Sequence, residues 1–213
     1  DLVAALDEFE ANQDLHVALI QGDEKCFCAG NDLKDFLSGG KLDAKHPTVR
    51  FIRRIAICHK PIVAAVAGPA VGIGTTMLLH FDMVFAADNS LFKLPFAQLG
   101  LCPEAASSYL FPNLAGSKLG FELLILGRSF DANEALNIGL INKVTSPAEL
   151  LPQSKQCAMD IAALPQEAVK HSKALLRHPH KTAIEASISL ELDYFQELLD
   201  SDEAQGKIQS FFN

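Results

Sequence analysis

The chain has 213 residues, 49% of them hydrophobic, which suits one globular unit with a substantial core. Its formal net charge of −8 argues against a nucleic-acid-binding protein, because such proteins normally carry a basic face. No uninterrupted apolar run is long enough to cross a bilayer, so no membrane span is predicted. Both ends of the chain fall within helical patterns, and address signals could therefore be missing from this sequence. We expect a cytoplasmic location, with a peroxisomal or mitochondrial matrix as the alternative.

The cysteines number 5 and are scattered along the chain. An odd, scattered set is typical of free thiols in a reducing compartment rather than of a disulfide framework. Cys26 and Cys28 form a C-x-C pair, but no second cysteine pair or histidine pair follows at the spacing of a zinc site. The sequence therefore predicts no metal site.

Apolar periodicity predicts alternating helices and strands in the first half of the chain. The predicted strands are short apolar runs at 16–21, 61–67, 83–87 and 91–94. The predicted helices are 1–13, 33–37, a helix that begins at Pro47, and 73–81. Pro47 suits a first helical turn because an N–H group there would lack an intrahelical acceptor anyway. Residues 38–46 are polar and rich in glycine, which predicts a mobile loop.

The last third of the chain is predicted to be almost entirely helical. The predicted helices are 117–126, 131–138, 147–164, 165–176 and 181–200. Asp131 is a favoured N-cap residue, because its carboxylate can accept an N–H group of the first helical turn. His178 and His180 are expected in an exposed loop. We divide the chain into a core of alternating strands and helices, 1–145, and a helical C-terminal region, 146–213.

Two glycine-marked turns, at 27–32 and 67–74, each lead from an apolar strand towards a helix start. Gly72 and Gly74 invite comparison with a dinucleotide-binding fingerprint, but Met77 occupies the position of the third glycine. One interpretation of these turns is purely structural, since glycines often make tight connections between strand and helix.

The other interpretation of the turns uses their backbone. N–H groups at a helix start have no intrahelical partner and form a positive end. We select the N–H groups of Asn31 and Ile73 as a pair that could stabilise the negative charge growing on a carbonyl oxygen. Such a donor is worth about 2.7–4 kcal/mol in a transition state.

Glu104 follows Pro103 and precedes the small residues Ala105 and Ala106. It could be a helix-start carboxylate that accepts backbone N–H groups. Alternatively, it could be a general base whose pKa is raised by apolar surroundings. Beside two oxyanion donors, the second interpretation predicts proton transfer next to a carbonyl.

The chain resembles the crotonase superfamily, the enoyl-CoA hydratase/isomerase family, over nearly its whole length. The matching stretches are CFCAGNDLKDF (26–36), KPIVAAVAGPAVGIGTTMLLHFDMVFAAD (60–88) and 92–144. The resemblance implies an α/β fold with a spiral β-β-α core and a helical C-terminal oligomerisation region. It also implies homotrimers or paired trimers, and family strands that help to form the CoA site would precede this chain.

The resemblance further implies an acyl-CoA substrate whose thioester oxygen is held by the N–H groups of Asn31 and Ile73. No cofactor is implied, because CoA is part of the substrate. Further substrate-binding residues are expected at Ala29, Gly30, Asp32, Gly72, Phe96 and Leu99. Lys25 and Lys34 flank the first turn and are candidates for binding the CoA phosphates.

The departures from the family pattern favour one subclass. The two glutamates of the hydratases fall on Thr76 and Phe96, which cannot act as carboxylates. The lone Glu104, within PEAASSYLFP, is similar to the base of peroxisomal-type Δ3,Δ2-enoyl-CoA isomerases. We therefore expect a single-glutamate isomerase. The alternatives are a hydratase of the same superfamily and a catalytically inactive module that binds CoA or another protein.

Overall fold

The computed structural model describes residues 2–23, 25–37 and 40–212. A four-stranded parallel sheet lies at its centre. In spatial order, its strands are β1 (Ala18–Gln21), β2 (Ile62–Val66), β4 (Met83–Ala87) and β7 (Lys143–Thr145). The register pairs Ala18 with Ile62, and Val63 with Met83. The three predicted strands at 16–21, 61–67 and 83–87 are thus neighbours in one sheet.

Strand β2 is buried along its whole length, because both faces of the sheet are covered. Ala64 belongs to the main core, whereas Ala65 belongs to a second apolar cluster with Leu150 of α8 (Pro147–Ala162). A continuous apolar run, without polar alternation, is what such a doubly covered strand requires.

A second sheet of three strands consists of β3 (Pro69–Val71), β5 (Leu91–Lys93) and β6 (Phe130–Asp131). Strands β3 and β5 are parallel, whereas β5 and β6 are antiparallel. Phe92 and Phe130 stack in the core with their ring centroids 5.4 Å apart. Each of β2 and β4 leads into a strand of this second sheet, which gives the repeated unit of a spiral.

The helices cover the two sheets. Those that precede β7 are α1 (Leu2–Ala11), α2 (Leu33–Leu37), α3 (Pro47–Ala56), α4 (Ile73–Thr76), α5 (Ser107–Ala115), α6 (Ser117–Phe121) and α7 (Ala132–Asn137). Those that follow β7 are α8, α9 (Gln166–Arg177), α10 (Lys181–Leu199) and α11 (Asp202–Gln209). As predicted, Pro47 opens α3, and Asp131 caps α7 by accepting the Glu134 N–H group at 2.8 Å.

Two predicted helices and one predicted loop differ in type from the structure. Segment 73–81 is α4 followed by a 3₁₀ turn, Met77–His80, because the chain must soon extend into β4. Segment 117–126 ends in a π-helical turn, Glu122–Leu126, which buries Leu123 and Leu124. The expected loop around His178 and His180 is an exposed 3₁₀ turn.

Several strands and helices of the structure were not predicted from the sequence. The last third is less uniformly helical than predicted, because β7 adds an edge to the central sheet by pairing with β4. Strands β3 and β6 are also too short to show periodicity. Helix α5 contains Pro112, which interrupts the helical pattern, and α11 is rich in polar residues.

The predicted mobile loop 38–46 begins with two residues that lie outside the described part of the chain. Residues 40–46 form neither helix nor strand, and Leu42 donates its N–H group to Gln196 Oε1 of α10 at 2.7 Å. The prediction of a helix over 1–13 is confirmed for Leu2–Ala11, and its first residue also lies outside the described part. Among the described helices, none has the length and apolar character that a membrane crossing requires.

Candidate active site

The two glycine turns lie against each other, because β1 and β2 are parallel neighbours and their carboxyl ends meet at one sheet edge. The Val71 N–H group donates to Cys28 O at 2.9 Å, and Cys28 forms a parallel bridge with Ala70. A Cβ atom on Gly74 would lie 2.5 Å from Cys28 O, nearer than side-chain carbons approach. Glycine at position 74 therefore permits the close contact between the turns.

Both selected backbone donors are without a hydrogen-bond partner in the described part of the chain. Within the described ranges, neither the N–H group of Asn31 nor that of Ile73 donates a hydrogen bond. Ile73 is the first residue of α4 and follows Gly72, whose φ of 55° and ψ of −120° suit glycine. Two touching turns thus carry two free donors, and their joint action on one oxygen stays a prediction.

Glu104 is buried, with 3% of its surface exposed. Thr76 Oγ1 donates to Glu104 Oε1 at 2.5 Å, and Glu104 Oε2 is buried without a partner among the described residues. A helix-start carboxylate would accept backbone N–H groups, and Glu104 accepts none from the residues that the structure describes. The helix-start interpretation of Glu104 therefore does not hold.

Burial raises the pKa of Glu104 from 4.5 to about 8, because the low-polarity surroundings disfavour the charged carboxylate. The charge of Glu191 raises this pKa further, whereas the hydroxyl of Thr76 opposes the rise. At neutral pH the resting carboxyl is mostly protonated. Its ionised form is a much stronger base than an exposed carboxylate, which suits proton abstraction.

The backbone that follows Glu104 is strained. Ala105 and Ala106 have φ angles of 57° and 56°, in the left-handed region that residues with a Cβ atom avoid at a cost of about 1–2 kcal/mol each. Glu191 of α10 accepts the Ala106 N–H group at 2.6 Å and the Ser108 N–H group at 2.9 Å. The carboxylate at the start of α5 thus comes from another helix.

His80 holds the carbonyl side of the same turn. Its Nε2 atom lies 2.7 Å from Ala105 O, and the ring is 2% exposed. Burial lowers the pKa of His80 from 6.5 to about 4, and the positive charges of Arg177 and Lys173 also disfavour its protonation. The ring is therefore neutral at physiological pH and uses Nε2–H to donate to the carbonyl oxygen of Ala105.

A small cavity of about 10 Å³ has Glu104 in its lining. The lining is mainly apolar and comes from the first turn, α2, segment 40–46, α3, the segment before α5, and α10: Asn31, Phe36, Leu42, Thr48, Ile52, Glu104, Leu192 and Phe195. The rings of Phe36 and Phe195 pack with their centroids 5.6 Å apart. Thr48 Oγ1 donates to Asn31 Oδ1 at 3.2 Å, which orients the Asn31 side chain. The structure therefore brings Asn31 and Glu104 to one cavity.

The other apolar residues selected from the sequence lie elsewhere. Ile73, Phe96 and Leu99 are buried in the main core and do not line the cavity beside Glu104. The role expected of Ile73 belongs to its backbone N–H group, and the approach of that group to the Glu104 cavity stays a prediction. Substrate binding by Phe96 and Leu99 stays a prediction.

The polar and small residues of the first turn are more accessible. Ala29 and Asp32 are exposed and Gly30 is half-buried. Asp32 Oδ1 accepts the Lys34 N–H group at 2.9 Å, so this side chain has a structural role at the start of α2. Lys25 and Lys34 are exposed, and Lys34 Nζ lies 5.8 Å from the ring centroid of Phe212.

A larger cavity of about 620 Å³ lies between α3, α9 and α10, away from Glu104. Two of its cationic side chains already have an anionic partner, because Lys173 Nζ and Arg177 Nη2 donate to Asp82 at 2.6 Å and 3.1 Å. In the described part of the chain, no group of three or more His, Cys, Asp or Glu side chains is arranged to hold a metal ion. Among the described residues that line the larger cavity, none has a buried side-chain oxygen without a partner like that of Glu104.

Thr76, His80 and Glu191 were not identified from the sequence as partners of the Glu104 segment. The position of Glu191 could have indicated that its side chain is buried, because it lies within the apolar stripe of α10, between Ile188 and Leu192. A carboxylate on the buried face of a helix needs donors from a neighbouring segment. The sequence could not indicate which segment provides them.

Comparisons with known proteins agree with this architecture. The sequence family described as "Enoyl-CoA hydratase/isomerase" matches residues 1–213. A solved structure titled enoyl-CoA hydratase/isomerase, from Pseudoalteromonas atlantica T6c, has 38% sequence identity to this chain and a TM-score of 0.94. The match covers 99% of this chain and 84% of that one. The predicted crotonase-like α/β fold is thereby confirmed.

The similar curated proteins carry different activities in their names. Enoyl-CoA delta isomerase 2 from Rattus norvegicus is 33% identical over 217 residues, 99% of this chain and 55% of that protein. Carnitinyl-CoA dehydratase from Proteus mirabilis is 34% identical over 203 residues, 92% of this chain and 78% of that protein. The chain thus spans about half the length of the rat isomerase, and family membership alone does not select a reaction.

Proposed function

Because this chain belongs to the enoyl-CoA hydratase/isomerase family, we propose that it shifts the double bond of an enoyl-CoA thioester from C3 to C2. Glu104 is the proton carrier in this proposal. The observation that carries it is the buried Glu104 carboxyl, whose Oε2 atom has no partner among the described residues and whose pKa is raised to about 8. An unpaired buried carboxyl is costly for folding, which favours a chemical role over a structural one.

The reaction divides into two proton transfers. The Glu104 carboxylate takes a proton from C2 of a 3-enoyl-CoA, and the C–H electron pair moves into a dienolate. The N–H groups of Asn31 and Ile73 stabilise the negative charge on the thioester oxygen. The protonated Glu104 then returns its proton to C4, which leaves the double bond between C2 and C3. Atoms and charge balance without a cofactor.

One carboxyl favours isomerisation over hydration. By the family pattern, the two hydratase carboxylates would stand at positions 76 and 96. Thr76 instead donates a hydrogen bond to Glu104, and Phe96 is buried in the core. The mainly apolar cavity also favours a site from which water is excluded, since an added water would need a second base to activate it.

Substrate binding and assembly are further parts of the same proposal. Asn31, on the first turn, places the acyl end of the substrate at the Glu104 cavity, and the exposed Lys25 and Lys34 would face the CoA phosphates. Homotrimers or paired trimers are supported by the exposed apolar side chains of Leu175 and Leu176, which are 73% and 78% accessible. A cytoplasmic location, with an organelle matrix as the alternative, stays a prediction.

The proposal is tested by offering the purified protein 3-trans-hexenoyl-CoA and, in a separate reaction, 2-trans-hexenoyl-CoA. We expect conversion of the first ester to the 2-trans product and no hydration of the second. CoA binding and native folding are measured on the same sample, so that an inactive preparation is identified.

Rapid hydration of 2-trans-hexenoyl-CoA would contradict the single-base mechanism, because it requires a second group that activates water. Binding of CoA esters by folded protein, with neither reaction, would contradict enzymatic activity and favour a CoA-binding module.

A further inference from the structure

We propose that Glu191 is a positioning residue for Glu104: it fixes the strained turn that presents the Glu104 carboxyl to the cavity. This inference rests on the proton transfer proposed above and adds a residue far along the chain to the same site. Glu191 itself does not line the cavity and is not assigned a proton-transfer role.

Both carboxylate oxygens of Glu191 are used on the turn. Oε2 accepts the Ala106 N–H group at 2.6 Å, and Oε1 accepts the Ser108 N–H group at 2.9 Å. Burial raises the pKa of Glu191, but the hydrogen bonds from Ser108 and Ala106 oppose that rise and favour the carboxylate. Glu191 therefore acts as a buried clamp of defined geometry rather than as a surface charge.

The turn needs an external clamp. Ala105 and Ala106 are successive residues with positive φ, and such strain persists only where the surroundings determine the backbone strongly. His80 binds the carbonyl of Ala105, and Glu191 binds the N–H groups on the other side. Since Glu104 directly precedes this pair, the clamp also fixes the direction of its side chain.

The same helix builds the site and supports its base. Leu192 and Phe195 of α10 line the cavity, while Glu191 on that helix holds the turn. A shift of α10 would therefore move the cavity wall and the Glu104 backbone together. This coupling is what distinguishes a positioning role from that of an ordinary helix cap.

Glu191 also determines the charge that Glu104 experiences. The other titratable groups near Glu104 are the thiols of Cys28 and Cys102, whose pKa values are raised by burial, and the neutral ring of His80. Within the described ranges, Glu191 is thus the charged group that faces Glu104, and its negative charge raises the pKa of that carboxyl. Removing the charge should lower the pH at which Glu104 ionises.

The test is Glu191→Gln, a change that keeps the shape but removes the charge and one acceptor. The ionisation of Glu104 is followed by infrared difference titration, with its carboxyl band assigned by comparison with Glu104→Gln. Isomerase kcat is measured across the same pH range. We expect a lower titration midpoint, a parallel shift of the kcat profile, and a limiting kcat reduced by up to about 100-fold through misplacement of the base.

The matched control is Glu197→Gln, the same substitution at an exposed position of α10. It should leave the midpoint and kcat unchanged. If Glu191→Gln does not fold, the double variant Glu191→Gln with Ala106→Gly replaces it, because glycine adopts the positive φ at position 106 without strain. The lower midpoint should persist there, since the charge of Glu191 is still absent.

Folded Glu191→Gln with the midpoint and limiting kcat of the wild type would overturn the inference. A lower midpoint with an unchanged limiting kcat would also overturn it, because Glu191 would then act through charge without positioning the base. If the wild type does not isomerise 3-enoyl esters, the infrared midpoint still reports on Glu191. A lower midpoint in Glu191→Gln beside an inactive wild type would mean that the proposed reaction fails while the charge of Glu191 still acts on Glu104, and the positioning of a catalytic base would be overturned with the reaction.

Discussion

Asp82 and Glu104 are two acidic residues that the same fold treats in opposite ways. Asp82 accepts hydrogen bonds from Lys173 Nζ at 2.6 Å and Arg177 Nη2 at 3.1 Å. Glu104 is more deeply buried, yet its one partner in the described structure is the neutral hydroxyl of Thr76. The paired acid joins α9 to the central sheet, whereas the unpaired acid is left as a strong base beside a cavity.

The two acids affect the stability of the protein in opposite directions. A buried charge with cationic partners is compensated, and its removal leaves those partners uncompensated. A buried carboxyl without a cation is tolerated only in its protonated form, so it costs stability whenever it is ionised. Asp82 should therefore matter mainly for folding and Glu104 mainly for catalysis.

The largest expected effect is on turnover in Glu104→Gln. The amide keeps the shape and the hydrogen bond from Thr76 but cannot take a proton from C2, so isomerase kcat should fall by about 10²–10⁴-fold. The rate is measured with 3-trans-hexenoyl-CoA on protein whose folding is confirmed by circular dichroism. Asp82→Asn is the opposite control: it should lower the unfolding free energy while each folded molecule keeps its kcat. Equal loss of kcat in both variants would contradict the assignment of a structural role to Asp82 and a catalytic role to Glu104.

The next effect is on stability in Lys173→Met. Lys173 is 7% exposed, and its Nζ atom donates to Asp82 and to Lys60 O, so its removal takes away one of the two cations that pair with Asp82. We expect a loss of about 3 kcal/mol in the free energy of unfolding, measured by urea denaturation.

Lys170→Met is the matched control for Lys173→Met, because Lys170 pairs with the exposed Glu167. Its removal should cost less than about 1 kcal/mol. Similar losses in the free energy of unfolding would show that the hydrogen bonds of Lys173 contribute no more to stability than the exposed pair of Lys170 and Glu167.

The most gradual expected effect is the pH dependence that Glu104 imposes on folding, because it is spread over several pH units. Its pKa is about 8 in the folded protein and 4.5 in the absence of burial. Between these values the folded state holds a proton that the unfolded state has released, so stability falls as pH rises. Relative to Glu104→Gln, the wild type should lose up to about 1.4 kcal/mol per pH unit in that window. Urea denaturation at several pH values measures this difference, and parallel curves for the two proteins would mean that Glu104 ionises at an ordinary pKa.

The sequence predicted the parts of the fold whose signal is local. Strands β1, β2 and β4 are apolar runs of the right length, and the cap at Asp131 follows from one residue and its position. The site was predicted in the same way, from Glu104 and the two turns. Asn31 and Glu104 do meet at one cavity.

The rest depends on contacts between distant segments. Strand β7 is three residues long and exists because β4 offers it a free edge. The clamp on the Glu104 turn requires Glu191, and a charged residue within an apolar stripe does not reveal its partner. No local pattern specifies the left-handed conformation of Ala105 and Ala106. Two successive alanines in a sequence normally favour a right-handed helix.

The separation of 85 positions between Ala106 and Glu191 has a consequence for synthesis of the protein. A growing chain emerges from the ribosome with the two turns and Glu104 long before α10. Until α10 is released, Glu191 cannot hold the turn, and the carboxyl of Glu104 is open to water. There its pKa is that of an ordinary carboxyl, so its ionised form is a weak base. The nascent chain would therefore be inert towards thioesters, and proton-transfer ability would appear only after α10 has been synthesised.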